Sequence, residues 1–93
     1  MNIYTTPNVK TIELFDEGDT KITIQSTVFK MISISIKSNS EKVLYYLNNE
    51  LEKLVDLVLE NDMNNKKLIY CVNIDKFDDF YETMIKTVNK MLS

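Results

Sequence analysis

Ninety-three residues with eleven lysines against fourteen acidic side chains carry a net charge of −3, and the pI is near 4.8. The chain has no His and no Arg, so Ser-His-Asp and Cys-His devices cannot be built and bidentate phosphate clamps are missing. A single cysteine excludes an intramolecular disulfide, and the acidic balance argues against a basic nucleic-acid footprint.

This length sets one domain over 1–93, with an apolar fraction of 44% that is sufficient for a core. No apolar run approaches the ~20 residues of a membrane span, and no charged segment precedes an apolar one as in a signal peptide. A protein of the cytoplasm with no membrane contact is expected. Asn, Ile and Lys are abundant, Ala is absent, and there is one Gly and one Pro. That usage fits an AT-rich bacterial, phage or viral gene.

Residues 1–8 read as an extended lead-in, because Pro7 removes a donor and pushes Thr6 toward extended geometry. Val9 to Phe15 forms a first expected strand, with Ile12 and Leu14 on one face. Gly18, set between Glu17 and Asp19, supplies a turn.

Thr20 to Ser38 follows. Ile22, Ile24, Val28, Ile32, Ile34 and Ile36 all occupy even positions, and polar residues fill most of the odd ones. This period of two marks a half-buried strand. The stretch is long against the usual ~5–6 residues. With no Gly, Asn or Pro to turn at Ser26-Thr27, one bent strand is favoured over two. Phe29 and Met31 interrupt the polar face, and they define either an oligomer interface or side chains that strand twist returns to the core.

Ser38 or Ser40 caps a helix, and Ser38 with Glu41 fits a capping box. Leu44, Leu47, Leu51, Leu54, Val55 and Val58 recur at helical spacing, so the helix is expected to reach about Asp62 and to end at Asn64-Asn65. On its opposite side Tyr45, Asn49, Glu52, Asp56 and Glu60 fall together. This is either a recognition stripe for a basic partner or an ordinary solvated face. Lys67 to Ile74 reads as a buried central strand, with Cys71 as an inert buried thiol. Asp75 with Asp78 caps a final helix whose apolar stripe includes Phe77, Phe80, Met84 and Val88.

The expected fold is therefore α+β, in the order β-β(-β)-α-β-α, with a three- or four-stranded, mainly antiparallel sheet carrying both helices on one face. Glu13, Asp16, Glu17 and Asp19 form an acidic hairpin tip. Their spacing matches no EF-hand, and no metal or cofactor is expected. No catalytic residue stands out. The composition points to a small acidic, non-enzymatic binding protein that meets a partner with a basic surface and makes no direct nucleic-acid contact. Its most concrete form is a phage or mobile-element inhibitor of a host nucleic-acid defence enzyme, of the anti-CRISPR or anti-restriction kind. The alternatives are a homo-oligomeric assembly protein, at its simplest a homodimer through the long strand, and a small-ligand binder.

Overall fold

The computed structural model describes residues 12–92. The lead-in over 1–8 and the start of the first expected strand lie outside them. Five strands and two helices follow in the order β1 (Ile12–Glu17), β2 (Thr20–Val28), β3 (Met31–Ser38), α1 (Glu41–Leu51), β4 (Leu57–Asp62), β5 (Lys67–Asn73) and α2 (Phe77–Leu92). The class is α+β, and the sheet is wholly antiparallel in the order β1-β2-β3-β5-β4. It has five strands rather than three or four.

Two differences from the sequence reading account for the extra strands. Thr20–Ser38 is a hairpin rather than one bent strand, and Phe29-Lys30 is its two-residue connection between Val28 and Met31. Phe29 takes φ 57, a conformation that turn positions usually give to Gly. The segment 57–62 is a strand rather than the end of the first helix. After Leu51 a single 3-10 turn covers Glu52–Leu54, and Val55 is already extended at φ −100, ψ 159. Asn64-Asn65 then turns a hairpin. Asp62 accepts from the backbone and side-chain nitrogens of Asn65 at 3.0 and 2.6 Å.

An unbroken alternation through a hairpin needs explaining. A two-residue connection pairs positions whose numbers sum to 59, as Val28↔Met31, Thr27↔Ile32 and Ser26↔Ser33 do. Directly opposed residues share a face, so even positions in β2 would meet odd positions in β3. Ile22 and Ile24 would then sit with Lys37 and Ser35 on the wrong side of the sheet. A bulge between Ile24 and Ser26 inserts one residue, Gln25, and the pairing becomes Ile24↔Ile34 and Ile22↔Ile36. The isoleucines of both strands thus reach one face. Val28, beyond the bulge, faces the other way with Met31, opposite to its expected side. Similar shifts occur at Leu14 in β1 and at Leu59 in β4. The one at Leu14 separates that residue from Ile12 and aims Ile12 and Phe15 to the same side as Ile24 and Ile22.

On the face so assembled, Ile22, Ile34, Ile36, Leu68, Tyr70 and Val72 pack beneath Leu44, Leu47 and Leu51 of α1 and Phe80, Met84 and Val88 of α2. Tyr70 is fully buried, and its hydroxyl donates to Asn48 Oδ1 at 2.6 Å. Burial, and then the charge of Glu52, pushes the phenol well above its ordinary value. Ser40 caps α1 by accepting from the Val43 amide. Ser38 instead bonds Thr20 Oγ1 at 2.9 Å and accepts from the Ser40 amide, so the capping box is not formed. Ahead of the second helix, Asn73 caps a 3-10 turn over Ile74–Lys76, accepting from the Asp75 amide at 2.9 Å, and Asp75 lies within that turn.

Two outcomes follow. Deleting Gln25 turns fully buried Ile22 and half-buried Ile24 away from the helices, and at up to ~1.5–3 kcal/mol for each side chain this costs about 3–6 kcal/mol of a margin of ~5–15 kcal/mol. Gln25→Ala keeps the extra residue and stays within ~0.5 kcal/mol of wild type in urea titration. Tyr70→Phe strands the Asn48 amide oxygen and lowers stability by about 1 kcal/mol in the same measurement.

Candidate functional site

The helices cover one face of the sheet, so surfaces for contact remain at its ends, at its edges and on its open face. The end carrying the β2–β3 turn is the most unusual. Phe29 is 100% exposed, and Val28 and Ile74 beside it are exposed as well. Cross-strand register sets Val28, Met31 and Asn73 in one row, and the Lys30 carbonyl accepts from the Ile74 amide at 2.7 Å. The turn is thereby tied to the 3-10 turn that leads into α2.

Asp56 ties in the remaining element. Its carboxylate accepts from the Asn73 amide at 2.7 Å and from Lys76 Nζ at 3.0 Å. The Asn73 amide above all, and then Lys76, holds this carboxyl below its usual value. One side chain thus joins the lead into β4, the end of β5 and the turn preceding α2. Exposed Asp75, Asp78 and Asp79 follow Ile74, and exposed Lys30 lies in the turn itself, so the apolar tip is bordered by charges of both signs with carboxylates in excess.

The stripe expected from Tyr45 to Glu60 is not formed as a single helical row. Tyr45 and Asn49 are exposed on α1, and Glu52 is exposed in the 3-10 turn. Asp56 lies in the loop before β4 and is committed to the clamp just described. Glu60 lies in β4, opposite Ile69 on the sheet's open face. The helix ends too early to carry all five.

Phe29 and Met31 are also placed differently from expectation. β2 lies between β1 and β3, and β3 between β2 and β5. Both are therefore interior strands, although β1 pairs only with the Thr20–Ile24 part of β2. Phe29 stands at the turn, and Met31 is half-buried on the open face. Cys71 is half-buried on that face too, between Ser33 and Leu57, and not in the core.

The acidic tip is present as exposed side chains. Asp16 is opposite Lys21, Glu13 is opposite Thr23, and Glu17 and Asp19 flank Gly18, whose φ is 62. Among the described residues no group of three potential ligands is placed to hold a metal ion.

Register also assembles a row invisible in the sequence: Asp16, Lys21, Lys37, Lys67 and Asp62 lie side by side across the open face. The strands are ~4.8 Å apart, so the acids at each end balance the outer lysines. A furrow of ≈ 670 Å³ between α1 and α2 is lined by Lys42, Tyr46, Glu50, Thr83, Lys86 and Thr87 among others. These offer ammonium groups and hydroxyls but neither thiol nor imidazole. No helix among the described residues is long and apolar enough to cross a membrane. Compared with family models, curated proteins and solved structures, the chain matches none.

The Asp56 clamp sets an acid limit. Asp62 has its carboxyl lowered in the same sense by the Asn65 side chain and then its amide. A folded-state value below the unfolded one of ~3.9 gives stability that is complete above that pH and lost as pH falls through the lower folded value. Thermal unfolding of Asp56→Asn with Asp62→Asn, followed from pH 7 to pH 2, is expected to show a shallower acid decline than wild type. An unchanged decline would assign the acid sensitivity elsewhere.

Proposed function

We propose that this chain is a non-enzymatic binding protein that seats its β2–β3 tip in an apolar pocket of a larger protein partner, with Phe29 as the anchor. The observation that carries this reading is the conformation of Phe29. A left-handed backbone costs a bulky residue roughly 1–2 kcal/mol, and the ring, wholly in solvent, recovers none of it. A Gly would make the same turn without that cost. Strained positions persist most often where a ligand is gripped, and an aromatic anchor ringed by polar groups is the usual centre of a protein–protein contact.

The carboxylates around the tip favour a basic rim on the partner. Enzymes that hold nucleic acid present such rims, because phosphate binding requires them. With the AT-rich usage and the small acidic composition, this supports an inhibitor of a host nucleic-acid defence enzyme, of the anti-CRISPR or anti-restriction kind, acting by contact alone. A sequence with no His and no Arg is poorly equipped for acid–base catalysis at neutral pH.

Phe29→Gly separates function from folding. The variant is expected to unfold at the wild-type temperature or a few degrees above it, since strain is removed and no buried contact is lost. Its capacity to protect a targeted plasmid from an active restriction or CRISPR nuclease is expected to fall by more than about tenfold. A variant that protects as well as wild type removes Phe29 from the contact. Protection by neither protein, across both classes of nuclease, removes this choice of partner.

A further inference from the structure

The two edges of the sheet differ in character. At one edge, β1 presents exposed Glu13, Asp16 and Glu17, and charge of this kind protects an edge from unwanted pairing. At the other edge, β4 presents Leu57, Val58 and Leu59 in succession, 56%, 42% and 55% exposed. Cross-strand partners assign Leu57 to the open face with Cys71, and Val58 to the helix face with Tyr70. The edge is therefore apolar on both faces, and no lysine lies within β4. A row of unpaired N–H and C=O groups flanked by apolar side chains is a template for another strand.

We infer that β4 is a self-association edge, where a second copy of this chain adds its own β4 antiparallel across a two-fold axis to make a ten-stranded sheet. Charge selects this occupant over the other edge of a second copy. Pairing β4 with β1 would bring Glu60 and Asp62 against Glu13, Asp16 and Glu17, and opposed like charges destabilise a ladder. A head-to-tail filament is thus disfavoured, and a closed dimer remains. Centring the two-fold on Leu57 sets Leu57 against its own copy, Leu59 against Val55 and Val58 against Asp56, and leaves Glu60 and Asp62 outside this 55–59 segment. The Asp56 amide is already turned inward, donating to the Cys71 carbonyl at 3.0 Å. Backbone alternation then turns the groups of Leu57 toward the open edge.

This edge is distinct from the Phe29 tip, so the two can be tested apart. Light scattering behind size exclusion, from micromolar to near-millimolar wild-type protein, is expected to show a dimer that persists in high salt, because its contacts are apolar and backbone. Leu57→Lys with Leu59→Lys is expected to halve the apparent mass, while circular dichroism is unchanged and Phe29→Gly stays dimeric. Amide exchange at Leu57 in the wild type is expected to slow as concentration rises. A wild-type monomer throughout this range overturns the inference. So does a dimer that the two lysines leave intact, or one that Phe29→Gly dissolves.

Discussion

The architecture depends on a parity constraint in the strand pair β2–β3. A two-residue hairpin connection exchanges odd and even positions between its strands, yet this sequence keeps its isoleucines on even positions in both. The inserted Gln25 reconciles the two, returning Ile22 and Ile24 to the side of Ile34 and Ile36. Without that residue β2 would offer the helices threonine and lysine. With it, one continuous apolar floor extends from Phe15 to Val72, and both helices settle on the same face. Beyond the bulge the original parity remains, which is why Val28 and Met31 emerge on the open face beside the turn.

Much of this was legible in the residues. The run through Leu68, Tyr70 and Val72 reads as an interior strand and is one, paired on both sides by β3 and β4. The stripe from Phe77 to Val88 reads as a helix, and Gly18 as a positive-φ turn. The second turn was not legible, because Phe29-Lys30 contains none of the residues that turns favour. The fourth strand was hidden for another reason. Leu54, Val55 and Val58 satisfy helical spacing as well as they satisfy a strand, and local pattern does not choose between the two. What selects the strand is tertiary: the backbone of β5 needs a partner on its far side, and the Asn64-Asn65 turn delivers one.

The loss of the long helix redistributes the chemistry. An acidic row along α1 gives way to separate roles, with Asp56 binding three chain segments together and Glu60 on the open face. The features that stand out are apolar instead: a strained, solvent-facing phenylalanine at one end and the apolar start of edge strand β4. Each exposes surface that the isolated chain does not bury, and the two differ in kind. The tip offers a single aromatic anchor with a charged surround in which carboxylates outnumber Lys30 and Lys76, suited to a pocket. The edge offers backbone and aliphatic side chains, suited to another strand. A binding protein that works by contact needs the first, and the second concerns how many copies act together.

All of these surfaces rest on the register at Gln25, and solution NMR reads that register directly. Cross-strand contacts between the α-protons or side chains of Ile24 and Ile34 on one side of Gln25, together with Ser26 and Ser33 on the other, are the predicted result. Contacts pairing Ile24 with Ser35 and Ile22 with Lys37 would mean that the bulge is absent, and would contradict the placement of the core, the open face and the Phe29 tip together.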